Sequence, residues 1–231
     1  MREHGTVTLP LMLFAAGFGT RMGMLTADRP KPLIEVAGRP LIDHALDMVT
    51  EAGVTKTVVN LHYRAELLET HLAQRPVTTL CETPNILDTG GGLRNALPLL
   101  GKNPVFTLNS DAVWHGPNPL TLLAQAWDPN KMDALLLCIP VARARGHYGK
   151  GDFIFDQTGR ISRGKELTYS GAQIMKTDRL RDVAETAFSL NVIWNAMQAD
   201  GRLFGLKYLG TWCDVGHPGG IALAEEMLAS V

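Results

Sequence analysis

Between residues 7 and 140 the chain alternates short apolar runs with stretches of helical periodicity, and this rhythm constrains the fold more than any other feature. Val7 to Phe14 reads as a buried strand, with Pro10 tolerated near its start or at an edge. Leu41 to Glu51 has apolar residues at helical spacing and stops at Gly53; Lys56 to Leu61 is a β-branched strand and Ala65 to Leu72 a helix. Val77 to Glu82, Val105 to Asn109 and Ala134 to Pro140 add strands, and Gly92 to Leu100 adds a helix. Strands separated by helices pair side by side in parallel, with the helices covering the faces. The expected fold class is therefore α/β, a Rossmann-like, doubly wound, mostly parallel sheet.

After Val141 the pattern changes. Phe153 to Phe155, the "DQTGR" turn, Ile161 to Arg163 and Tyr169 to Met175 read as short strands with close turns, an antiparallel addition that covers the ligand crevice. Ser189 to Gln198 and Ile221 to Ala229 close the chain as helices, with strands at Leu203 to Leu209 and Thr211 to Val215 between them. Residues 115–131 contain three prolines and read as a surface excursion around a short helix. A chain of 231 residues that is 45% hydrophobic fits a single domain with one sizeable core.

Charge narrows the function classes. Lys and Arg number 22 against 23 Asp and Glu, so no global field attracts nucleic acid or an anionic membrane. No apolar run approaches a membrane span, and "MREHGTVTLP" lacks the apolar core of a signal peptide. Cys81, Cys138 and Cys213 are odd in number and lack metal-ligand spacing, as expected of buried thiols in a reducing compartment, the cytoplasm. The seven histidines show no paired spacing that would hold a metal.

The segment "LFAAGFGTRM" places Gly17 and Gly19 directly behind the first strand. A dinucleotide fingerprint fails because Met22 occupies the third glycine position, and a P-loop fails because no Lys-Ser or Lys-Thr follows the second glycine. On the loop alone, a turn that merely accommodates positive φ stays open. The continuation, "LFAAGFGTRMGMLTADRPKPLIEVAGRPLI", resembles the signature of the sugar-1-phosphate nucleotidyltransferases. The resemblance continues in the same order through "LDTGGGLRNALPLL" at 87–100, "NSD" at 109–111, "GDFIFD" at 151–156, "TYSGAQIM" at 168–175 and "GTWCDVG" at 210–216.

That resemblance implies transfer of a nucleotidyl group from a nucleoside triphosphate to a sugar 1-phosphate, with Mg²⁺ as cofactor. It implies a nucleotide-binding part over about residues 1–140 and a sugar-phosphate-binding part over about 141–231. Arg21, with its planar fork, is expected on the pyrophosphate leaving group, and Lys31, held between Pro30 and Pro32, on the phosphates at the reacting centre. Mg²⁺ usually takes one or two carboxylates, and the resemblance assigns Asp111 and Asp214, both at strand ends, as its ligands. Ala15, Gly17, Gly19, Thr20 and Asn109 are expected around the nucleotide, with Thr89, Gly90 and Gly91 against the base. Gly151, Asp152, Tyr169, Gly171 and Asn191 are expected around the sugar. The chain departs from the family pattern in three places. Gly23-Met24-Leu25-Thr26 replaces a stretch with a second basic residue, "NSD" replaces N-G-D, and the lysine of a Glu-Lys-Pro segment is matched only loosely by Lys165.

Overall fold

The computed structural model describes residues 9–101 and 104–230, so Val7 and Thr8 of the expected first strand lie outside the described residues. In chain order the strands are β1 Leu11–Phe14, β2 Glu35–Val36, β3 Arg39–Pro40, β4 Thr57–Leu61, β5 Thr78–Cys81, β6 Val105–Asn109, β7 Ala112–His115, β8 Ala134–Pro140, β9 Ala144–Arg145, β10 Phe153–Phe155, β11 Ile161–Arg163, β12 Leu167–Met175, β13 Leu203–Lys207 and β14 Thr211–Asp214. The α-helices are α1 Leu41–Glu51, α2 Ala65–Leu72, α3 Asp88–Leu100, α4 Pro119–Ala126, α5 Leu190–Ala199 and α6 Gly219–Ala229.

The main sheet runs β13-β8-β12-β6-β1-β4-β5, with the β10-β11 hairpin attached to the start of β12. Along this path the pairings are parallel except those made by β12, which runs antiparallel to both β6 and β8. The mostly parallel α/β expectation therefore holds, and the antiparallel addition begins where the pattern changes after Val141.

Strand alternation sorts the core. Leu11 and Leu13 of β1 face one apolar cluster, with Ile42, Ala45 and Val49 of α1, Leu68 of α2 and Leu120 of α4. Met12 faces the other, with Leu93 and Ala96 of α3 and Ile193 and Met197 of α5. Because successive side chains point to opposite faces, an unbroken apolar run such as "ALLLCIP" marks a strand buried on both sides. A third cluster joins α6 to β7, β14 and the loop after β1 through Met22, Val113, Val215, Ala224 and Met227.

Two local expectations are corrected. Helix α3 begins at Asp88, four residues before Gly92, since glycine's poor helix propensity is overridden by packing: the N–H groups of Gly90 and Gly91 both donate to the Phe188 carbonyl. The proline-rich excursion at 115–131 is not purely a surface feature, because Leu120 and Leu123 are fully buried against the sheet.

Asp133 ties three strand ends together. Its carboxylate accepts from Lys176 Nζ at 3.0 Å, Arg202 Nε at 2.9 Å and Arg179 Nη2 at 3.3 Å. Burial alone would raise its carboxyl, but the bonds and charges of Lys176 and Arg202 outweigh this and hold it below the usual range. A depressed folded value means the stabilisation is complete above the unfolded value and is lost as pH falls through the folded one. Asp133→Asn is expected to cost roughly 2–3 kcal/mol near neutral pH, less than a fully buried pair because the cations are partly exposed. Urea unfolding of both proteins from pH 7 to pH 2 checks this, with the difference shrinking at the acid end.

Candidate functional site

Parallel pairing of β1 with β6 aligns Phe14 with Asn109, so the glycine loop after β1 and the "NSD" turn after β6 emerge together at the carboxyl edge of the sheet. The chain leaves these neighbouring strands in opposite directions, and such a switch point is where open α/β sheets form ligand crevices. Ser110, in place of the family's glycine, donates its hydroxyl to the Phe14 carbonyl at 2.7 Å and so locks the two strand ends together.

The crevice has two chambers. The first, about 300 Å³, is lined by Ala15, Gly17, Gly19, Thr20 and Lys31, with Asn60, Glu82 and Gly216. The second, about 380 Å³, is lined by His147, Asp152, Arg163, Tyr169, Gly171, Asn191 and Asp214 among others. Phe14, Arg21, Asp88, Thr89, Asn109 and Asp111 face both. Each chamber thus draws on residues before 112; the first takes Gly216 from later in the chain, and the second a larger set after 146.

Glycines at the site act for different reasons. Gly19 has φ +66°, and a Cβ there would lie 2.9 Å from both Lys31 Cβ and Thr26 Cγ2. It must be glycine for the turn and for the close passage of Lys31. Gly17 needs no unusual φ, and its Cβ would meet nothing within 4 Å although the residue lines the first chamber. Its missing side chain is open space in the crevice. Thr26, in the stretch where the family has its second basic residue, buttresses the loop through hydrogen bonds to the Gly19 and Gly23 carbonyls.

The charged centre is assembled across strands. Asp214 at the end of β14 pairs in register with Ala112 of β7, and the Val215 N–H donates to the Asp111 carbonyl at 2.9 Å. The two aspartates expected at strand ends are brought side by side. Lys31 Nζ donates to Asp111 Oδ2 at 2.8 Å from a buried position. Burial pushes the Asp111 carboxyl up, but the Lys31 charge and bond, with the Arg21 charge, bring it below its ordinary value. Asp214 moves the other way, raised by burial and then by the neighbouring Asp111 charge. Gly216 makes room for this centre, since a Cβ there would lie 2.9 and 3.0 Å from the Asp214 carboxylate oxygens and 3.1 Å from Arg21 Nη1.

Two adjacent hard carboxylates fit a small divalent cation that takes its remaining positions from water and phosphate. Lys31 and Arg21 together only balance Asp111 and Asp214, so polyphosphate arriving here needs further positive charge.

Other expected residues fall less directly. Thr89 reaches both chambers, and its hydroxyl accepts from the Leu190 N–H. Gly90 and Gly91 line neither chamber; side chains there would collide with Phe188 and the Thr186 carbonyl, so they serve the docking of α3. Gly151, with φ +94°, turns against Lys165 and Val141 and also lies off both walls, as does Lys165. Gly171, with φ +90° at the bulge in β12, clears space for the Asn109 side chain. Asp152 accepts from the Tyr169 N–H at 2.9 Å, and Tyr169 packs edge-on against Trp194.

The sequence reading missed Asn60, Glu82, Asp88 and Arg163. Buried Asn60 accepts from the Ala15 N–H and donates to Glu82, which in turn accepts from the Leu87 N–H, so this pair fixes the backbone on both sides of the first chamber. Neither belongs to a motif; the signal available was a polar residue near the end of each of two neighbouring short strands. Asp88 holds φ +58° at the start of α3, a strained backbone at the crevice wall.

These features define a nucleotidyltransferase crevice, and comparison with known proteins agrees. The chain belongs to the family described as "MobA-like NTP transferase domain", which matches residues 11–205. Within it the chain is a sugar-1-phosphate nucleotidyltransferase. It is 41% identical to the N-acetylmuramate alpha-1-phosphate uridylyltransferase of Caulobacter vibrioides, over 94% of this chain and 96% of that one. It is 31% identical to the protein of the same name from Neisseria meningitidis, over 89% of this chain and 92% of that one. The structure of a putative glucose-1-phosphate thymidylyltransferase from Bacillus anthracis superposes with TM-score 0.80 over 96% of both chains at 14% identity, a likeness of fold.

Gly17→Val tests the role of the open loop face. The variant is expected to keep the wild-type Tm, because no atom is displaced, while nucleoside triphosphate affinity by calorimetry falls at least roughly tenfold, about 1.4 kcal/mol. Gly19→Val should instead lower the Tm, since both φ and packing forbid it.

Proposed function

We propose that this chain transfers a uridylyl group from UTP to N-acetylmuramate 1-phosphate, releasing pyrophosphate. The observation that carries the nucleotidyl-transfer chemistry is the Arg21, Lys31, Asp111 and Asp214 quartet at the junction of the two chambers. The choice of base and sugar rests on likeness to relatives of that activity along nearly the whole chain. Production of the nucleotide sugar would return a cell-wall sugar to biosynthesis, and free thiols, buried at Cys138 and Cys213 as expected but exposed at Cys81 on the short strand β5, suit a reducing cytoplasm.

In this reading the first chamber holds the triphosphate and the second the sugar phosphate. An oxygen of the sugar phosphate attacks the α-phosphorus, the bond to the bridging oxygen breaks, and pyrophosphate leaves in line. Gly17 and Gly19 let the backbone approach the phosphates, and Thr20 adds a hydroxyl donor. Arg21 faces both chambers and so can hold the leaving group while offsetting charge at the reacting phosphorus. Lys31, stiffened by its flanking prolines and anchored on Asp111, places a second cation without needing to reorganise. Asp111 and Asp214 would hold Mg²⁺, which supplies the neutralisation that brings two polyanions together. No side chain is required as nucleophile. Asp152, Tyr169, Gly171 and Asn191 form the wall that orients the sugar, Asn109 stands between nucleotide and sugar, and Thr89 forms the wall nearest the base.

Pyrophosphate release in Mg²⁺ over a grid of UTP, GTP, dTTP, ATP and CTP against N-acetylmuramate, mannose, glucose and N-acetylglucosamine 1-phosphates tests the reading. One dominant cell at UTP and N-acetylmuramate 1-phosphate is expected; a dominant cell at GTP and mannose 1-phosphate would reassign the substrates. Asp111→Asn should lower kcat/KM at least roughly tenfold, and an unchanged rate would remove the proposed metal role.

A further inference from the structure

The second chamber contains a cation that nucleotidyl transfer itself does not use. Arg163, the last residue of β11, donates from Nη2 to Asn191 Oδ1 at 2.7 Å and to Asn195 Oδ1 at 2.8 Å, and from Nε to Asn195 Oδ1 at 3.2 Å. Its guanidinium lies over the Phe153 ring, 4.9 Å from the centroid. Asn191 and Asn195 are four residues apart on α5, so both project from one helix face toward β11. Two amide oxygens and an aromatic face fix the plane of the group but bring no negative charge. Among the described residues Arg163 forms no ion pair. Asp152 is the nearby acid, and its Oδ2 is engaged by the Tyr169 N–H.

A guanidinium braced by two amides, outside any ion pair and with Nη1 left over, on the wall of a substrate chamber, has the properties of an anion receptor. In the substrate reading above, the 1-phosphate of the sugar arrives at the junction of the chambers, where Arg21 offsets charge at the reacting phosphorus. A second anion must therefore come from elsewhere on the sugar. N-acetylmuramate carries one, the carboxylate of its lactyl ether, which N-acetylglucosamine lacks. We infer that Arg163 is a specificity residue that receives the carboxylate of an acidic sugar 1-phosphate, held in place by Asn191 and Asn195. The inference rests on the substrate reading above, and its test separates the two.

The measurement is the ratio of kcat/KM for N-acetylmuramate 1-phosphate to that for N-acetylglucosamine 1-phosphate, each with saturating UTP, in the wild type and in Arg163→Gln and Arg163→Lys. UTP affinity by calorimetry serves as the check on folding. A charge-assisted hydrogen bond to the carboxylate predicts that the ratio falls roughly tenfold in Arg163→Gln, through KM for the acidic sugar, with Arg163→Lys in between. If both sugars weaken equally, Arg163 contacts the shared phosphate or merely braces α5, and the inference is overturned. An unchanged ratio with unchanged rates overturns it as well. If the wild type fails to prefer the acidic sugar, the substrate reading falls first and this inference with it.

Discussion

The site depends on one backbone pairing. The hydrogen bond from the Val215 N–H to the Asp111 carbonyl, at the end of the β7-β14 ladder, joins segments a hundred residues apart and sets their two aspartates side by side. Carboxylates repel, and burial raises the cost, so their adjacency has to be imposed by something that does not depend on the side chains. A β ladder does this. Lys31 then compensates one of the pair, which is why Asp111 stays readily ionised while Asp214 is pushed upward. The imbalance leaves a centre poised for additional positive charge.

Around that pairing the fold gathers charge. Both chambers share a wall built from the ends of β1 and β6 and the start of α3, and Arg21, Lys31, Asp111 and Asp214 gather at or beside it. The second chamber is completed by the antiparallel hairpin β10-β11, which hangs on the start of β12, and by α5, which packs against α3 and β13. Substitutions there can alter the sugar that is accepted without disturbing the strands that present Asp111. Arg163, braced by Asn191 and Asn195, belongs to this replaceable layer.

Much of the fold was legible because its signals are local. Helices α1 and α2 and strands β6, β8, β10 and β11 lie where periodicity and apolar runs put them. Arg21, Lys31, Asp111 and Asp214 were legible through motifs. Legibility failed where a residue's role depends on a distant partner. Gly90 and Gly91 read as an opening toward a ligand, yet their N–H groups are consumed by Phe188. Asn60 and Glu82 form a buried pair across neighbouring strands, which no spacing in either segment announces.

The sequence by itself determined the alternation of strands and helices, the glycines directly behind β1, and the chemical types of the charged candidates Arg21, Lys31, Asp111 and Asp214, since these follow from propensity, periodicity and side-chain chemistry. Only the tertiary structure decided which groups meet. It placed Asp214 against Asp111, gave Gly216 its reason in the space that Arg21 and Asp214 occupy, and oriented Arg163 on two amides rather than on a carboxylate. The physical reason is that electrostatics and exclusion act through distance in space, and the pairing of strands far apart in the chain sets that distance.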